Sequence, residues 1–215
     1  MLRRTFLAGA GLTAGAVALG LAGCTRGGSD GDGGGRAGGL TGIVLDQPLS
    51  KPTVVLQDTS GAPYDFAAAT AGQMAMLFFG YTSCPDVCPV HLGIIADALG
   101  VVRRDGVDPV VVFVGVDTAR DTPTRLREYL DGFDPRFVGL SGTPTAIDEA
   151  MAEVSLPPAV IDPEGTGGNY AVGHPSQILV YTPDDLCHVM YGFGTRQQTW
   201  VEELPVLKTR NWGVA

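Results

Sequence analysis

Six consecutive apolar residues, Met74 to Phe79, run straight into Gly80-Tyr81-Thr82-Ser83-Cys84-Pro85-Asp86-Val87-Cys88-Pro89. That junction limits the available folds more than any other feature of the chain. A continuous apolar run of strand length suits a strand buried on both faces, which requires a sheet with a layer on either side. Beyond the cysteines, Val87, Val90, Ile94, Ile95, Ala98 and Val102 recur at helical spacing and predict an amphipathic helix. Val110 to Val116 is a second apolar run, so strand, helix and strand follow one another with two cysteines at the first turn.

Local signals extend this unit in both directions. Val54-Val55-Leu56 reads as a first strand, and Gly61-Ala62-Pro63 as a turn into Tyr64 and Phe66. Thr122-Pro123 and Thr143-Pro144 each place a capping residue before a proline, predicting helices to about Leu130 and through Val154. Phe137 to Leu140 between them is strand-like, and the Pro- and Gly-rich stretch 157–168 reads as a surface loop. Ile178 to Tyr181 and Val189 to Tyr191 flank Pro183-Asp184-Asp185 as a hairpin, and Thr195 is expected to cap a last helix that Pro205 bends or shortens. The order predicts an α/β domain whose central, mainly parallel sheet has an antiparallel edge hairpin and flanking helices. No internal repeat is visible.

The start of the chain has a different character. Arg3 and Arg4 precede a stretch, Thr5 to Thr25, without a charged residue, as in a secretory signal, and the pair followed by Thr5, Phe6 and Leu7 resembles a twin-arginine signal. Leu21-Ala22-Gly23-Cys24 looks like a lipobox, which would make 1–23 a signal peptide and Cys24 a lipid anchor; an uncleaved span is the alternative. Residues 24–40 form a linker whose part 27–39 holds eight glycines and cannot bury apolar surface, leaving 41–215 as one domain. Removing the leader would leave 12 basic against 23 acidic side chains, a net charge of −11, which argues against a nucleic-acid partner. With Cys24 used as the anchor, three cysteines remain in an exported chain, an odd count that points to one functional pair and a leftover thiol. Localisation on the extracytoplasmic face of the cell membrane follows from this reading, in a compartment that permits oxidation.

Cys84 and Cys88, four apart at a strand-to-helix junction, should share a face of the first helical turn. The positive end of the helix is expected to favour their thiolates. A purely structural disulfide across so small a loop would constrain the unfolded chain little. A thiolate pair serves redox exchange or metal capture, and a third donor separates the two. Copper(I) is soft, prefers thiolate and accepts imidazole. His174 precedes the strand 178–181, which should lie beside the strand feeding Cys84, so both loops would meet at one sheet edge. His91, three residues past Cys88, is a second candidate, though a histidine on such a face is more often packed or solvated. His188 and Cys187 are adjacent in a strand and point to opposite faces, so they cannot serve one site together; Cys187 reads as a small buried hydrophobe.

Four runs, FFGYTSCPDVCP, VGVDTARDTP, FVGLSGTP and GHPSQILVYTPDD, resemble the Sco/SenC family in order and spacing over roughly residues 50 to 205. CPDVCP together with VD-x-x-RDT is a specific combination; either alone would be weaker. The resemblance implies a thioredoxin-like fold and one copper ion, Cu(I) or Cu(II), bound by Cys84, Cys88 and His174. It also implies delivery to the dinuclear copper centre of cytochrome c oxidase, with the copper-bearing oxidase subunit as recipient and a second copper chaperone as donor. Asp117 matches an acidic family position near the metal loop and would orient it, a capping or turn aspartate being the plainer alternative. Where the family commonly has Asp-His-Ser/Thr, this chain has Gly173-His174-Pro175, so a carboxylate that could support the histidine is missing and a lower affinity is expected. Thr118 replaces a frequent proline, with little effect expected.

A metallochaperone binds and transfers without turnover. The competing reading is a thiol–disulfide oxidoreductase that uses Cys84 and Cys88 to reduce the oxidase subunit's cysteines. Pro175 lies near the position where redox enzymes of this fold face a proline to their disulfide, whereas the three-residue spacer departs from their C-x-x-C pattern. A peroxidase has no further positive feature.

Overall fold

The computed structural model describes residues 39–162 and 170–213. The expected signal peptide, Cys24 and the linker up to residue 38 lie outside the described residues, as do positions 163–168 of the expected surface loop. Leu40, counted with the linker from its composition, is 2% exposed and belongs to the core.

The chain order is β1 (Ile43–Ser50), β2 (Leu56–Asp58), β3 (Pro63–Tyr64), α1 (Phe66–Ala69), β4 (Ala75–Gly80), α2 (Val87–Val102), β5 (Val110–Gly115), α3 (Pro123–Asp131), β6 (Val138–Ser141), α4 (Pro144–Glu153), β7 (Val160–Ile161), β8 (Val172–Gly173), β9 (Ile178–Tyr181), β10 (Leu186–Tyr191) and α5 (Gln197–Thr209). One sheet runs β1-β10-β9-β4-β5-β6-β2-β3, and β7 pairs with β8 in a separate two-stranded sheet. Every residue of β4 is buried, as its unbroken apolar run requires.

Parallel pairing is confined to the centre, where β5 lies between β4 and β6. The sheet is therefore mixed and not mainly parallel. The reason is the route of the chain: β4–α2–β5 and β5–α3–β6 join neighbouring strands through a helix that returns the chain to the same end, whereas β9 meets β4 and β2 meets β6 running the other way. Both connections step the same way across the sheet, so right-handed crossovers set α2 and α3 on one face. Glycine positions bear this out: a side chain at Gly80 would strike Cys88 of α2, and one at Gly139 would strike Leu126 and Leu130 of α3. α5 packs against α2 on that side.

Thr122 and Thr143 cap α3 and α4 by accepting the amides of Arg125 and Ala146, with proline in the first turn of each. α5 differs from expectation: it begins after Arg196 without a side-chain cap, while the Thr195 hydroxyl donates to the Gly192 carbonyl. Pro205 lies inside α5, which continues to Thr209. In α2 the buried stripe is Cys88, His91, Leu92, Ile95, Ala98, Leu99 and Val102, whereas Val90 is 45% exposed, so the face is rotated from the one its valines suggested. The strand β1 was not expected. It is an edge strand with five exposed residues and no alternation, the pattern least distinguishable from a loop.

Candidate metal centre

The metal loop is fixed from both sides. β4 ends at Gly80, the Cys84 amide donates to the Tyr81 carbonyl at 3.1 Å, and α2 starts at Val87 with Asp86 as its cap. Cys84 thus lies ahead of the helix and only Cys88 lies within it, which corrects the expectation that both share the first turn. Helix-end polarity is spent on the first sulfur: the Cys88 amide donates to Cys84 Sγ at 3.4 Å. Cys88 itself is fully buried, and burial pushes its thiol up from the ordinary value, opposite to the expected lowering. Desolvation outweighs the helix end at this sulfur.

Sequence-distant His174 arrives through the antiparallel pairing of β9 with β4, in which Ile178 sits opposite Phe78. Its Nε2 is 3.5 Å from Cys88 Sγ, and Nδ1 faces the Pro175 carbonyl at 2.9 Å. The ring meets Tyr81 edge-on at 5.4 Å and Phe78 at 6.1 Å. Cys84, Cys88 and His174 offer two sulfurs and a ring nitrogen within 4.8 Å of one another. No carboxylate belongs to this group, so the donor set suits a soft ion and not a hard one. Three protein donors also fall short of the four of a closed structural zinc site.

The other candidates lie elsewhere. His91 is outside the group; it is 3% exposed, wedged between Phe78 and Phe193 at 5.3 and 5.5 Å, and burial holds it neutral with a pKa lowered to about 4. Its Nε2 has no hydrogen-bond partner among the described residues. His188 bonds Asp184 at 2.8 Å and stacks on Trp212 at 4.2 Å. Cys187 is fully buried with its thiol pushed up to about 12, as expected of a small core residue.

Asp117 caps no helix. Its buried carboxylate pairs with Arg120 and accepts the Tyr170 hydroxyl at 2.8 Å. Asp121, overlooked in the sequence, is the residue that holds the metal loop: its Oδ1 accepts both the amide and the hydroxyl of Thr82, at 2.9 and 2.8 Å, and Oδ2 accepts the Asp117 amide at 3.2 Å. Burial raises its pKa. The Asp121 side chain fits because Gly115 beneath it has none; a Cβ there would come within 2.7 Å of Asp121. Gly80 is the register partner of Gly115, and a Cβ on it would lie 2.8 Å from Cys88 Sγ. The signal for Asp121 lay in the VGVDTARDTP run, but what it touches depends on the fold.

Known proteins give this arrangement a context. The SCO1/SenC family model matches residues 49–208. Protein SenC of Rhodobacter capsulatus is 37% identical over 103 residues, 48% of this chain and 46% of that protein. The chain spans about half the length of the first curated relatives it matches. Bradyrhizobium japonicum ScoI with copper bound has a TM-score of 0.65 at 29% identity, covering 74% of this chain and 99% of that one. Apo Sco1 from Thermus thermophilus has 0.68 at 29% identity, covering 78% and 96%. With the family match running from the end of β1 into α5 and the thioredoxin-like fold shared with these structures, the chain belongs to the SCO1/SenC family.

Proposed function

We propose that this chain is a copper-binding metallochaperone that takes up one copper ion on Cys84, Cys88 and His174 and passes it to the copper-bearing subunit of cytochrome c oxidase. The observation that carries the reading is the cluster of two sulfurs and one imidazole nitrogen within 4.8 Å, a soft donor set at the surface end of a buried strand. Copper is seen bound in the related ScoI of Bradyrhizobium japonicum, and the Sco family is associated with cytochrome c oxidase assembly. Copper supplies no reaction here; it is cargo. Loading would release the thiol protons of Cys84 and Cys88 to solvent as copper takes their place, with His174 presented from a separate segment.

In this reading Cys24 carries a lipid that holds the domain on the extracytoplasmic face of the membrane, after export by the twin-arginine-type leader. Among the described residues no helix is long and apolar enough to cross a membrane. Cys24→Ala should abolish lipid labelling; a variant that still matures at the same N-terminus removes the lipoprotein reading.

X-ray absorption of the reduced, copper-loaded domain tests the site by counting donors. Two sulfurs and one nitrogen per copper are expected. A protein that takes up no stoichiometric copper, yet exchanges disulfides with a partner's thiols, would be the oxidoreductase instead.

A further inference from the structure

The turn between β5 and α3 touches both segments that carry donors. Asp121 reaches the cysteine loop through Thr82, and four residues earlier Asp117 reaches the His174 segment through Tyr170. Arg120 joins these contacts. Its Nε pairs with Asp117, its Nη2 donates to the Tyr170 carbonyl at 3.0 Å, and its guanidinium lies 3.7 Å from the centroid of the Tyr170 ring. The same guanidinium is 5.7 Å from the ring of Tyr81, which itself meets the His174 ring. A planar, permanently charged fork can bond a carboxylate and a carbonyl in fixed directions while its flat face stacks on an aromatic ring, a geometry that a lysine in its place would not reproduce. By contrast, His174 Nδ1 faces the carbonyl of its own neighbour, Pro175, so the imidazole is placed largely by its backbone.

We propose that Arg120 is a positioning residue for His174: tied to Asp117, Tyr170 and the Tyr81 ring, it holds the imidazole-bearing segment against the two sulfurs through contacts separate from the Asp121–Thr82 bonds. Loosening it lets copper pass from three protein donors to the thiolate pair while Cys84 and Cys88 stay in place. The copper part of this inference rests on the proposed function; the placement of His174 does not.

The experiment has an arm without metal and an arm with it. In the metal-free protein, Arg120→Gln and Arg120→Lys should speed amide exchange at Val172 and Gly173 by about tenfold and shift the His174 ring resonances, leaving the amides of Thr82 and Cys88 unchanged. In the copper(I)-loaded protein they should speed release to an excess of chelator by ~10-fold, within the range typical of lost outer partners of a ligand. In a His174→Ala background the same substitutions should add nothing to release, since both act through one donor. Equal acceleration with and without His174, or unchanged exchange at Val172 and Gly173, overturns the inference. A parent protein that takes up no copper would end the copper reading alone, because the metal-free arm still decides the placement of His174. Should both Arg120 variants fail to fold, Tyr170→Phe removes only the hydroxyl bond to Asp117 and should give the same pattern at smaller amplitude; its silence in both arms counts against the clamp.

Discussion

Cys84 and Cys88 ride on a strand without an exposed residue and the sixteen-residue helix that follows it, whereas His174 follows a two-residue strand, β8, which pairs with the equally short β7. The cysteine side is fixed by main-chain structure and the Asp121 carboxylate. The histidine side is a short segment whose Tyr170 meets Asp117 and Arg120 and whose His174 ring meets Tyr81, contacts made by side chains reaching across between segments. A site built this way has a permanent half and a detachable half, which suits a carrier: one donor can leave while two retain the ion.

Breaking the permanent half should have the largest effect. Cys84→Ser and Cys88→Ser remove a dominant soft donor, and copper(I) affinity measured by chelator competition should fall by more than the ~10–100-fold that loss of an outer partner costs. Either variant binding like the parent would put the metal elsewhere. His174→Ala removes the detachable half. Copper(I) affinity should then drop within about 10–100-fold, and copper(II) should be lost more severely because the harder ion depends more on nitrogen. Equal losses for both oxidation states would erase the distinction between the halves.

Asp121→Asn loosens the permanent half without touching a donor. An amide cannot accept on both sides, so either Thr82 or the Asp117 amide loses its partner, at a cost of about 1–3 kcal/mol in unfolding free energy. Amide exchange should rise at Thr82 or at Asp117, whichever loses its partner, and stay unchanged at Val172. The smallest effect on copper is expected from His91→Leu, which should bind copper like the parent. Its signature is in pH dependence. Burial holds folded His91 near pKa 4 against 6.5 when exposed, so between these values the unfolded chain binds more protons and stability falls as pH falls. The leucine variant should lose that part of the slope between pH 6.5 and 4 in denaturant titrations. A variant with impaired copper uptake would instead make His91 a ligand.

What the chain spelled out locally was readable. Thr122-Pro123 and Thr143-Pro144 announce their helices because cap and proline act within four residues, and the apolar run before Gly80 has the length and composition of an interior strand. His174 was reachable too, since one guess about strand order places it beside the cysteines. Three things were not. β1 lacks a buried face and so lacks a period. The direction of the Cys88 shift depends on how deep the sulfur sits, and neither cysteine spacing nor helix position reports depth. Asp121 and Arg120 stand in a recognisable run, yet their partners Thr82 and Tyr170 are 39 and 50 residues away and meet them only in the folded chain.

The paired glycines at positions 80 and 115 bear on how variants of this protein would be scored. Neither offers a donor atom, yet one vacates the space filled by Cys88 Sγ and the other the space filled by the Asp121 side chain. A single added methyl at Gly80 would press on the sulfur, and one at Gly115 would lever Asp121 away from Thr82. In a genetic screen for defective copper handling, both alanine alleles would fall in the same phenotypic class as ligand losses, and a classification based on chemistry alone would pass them as harmless.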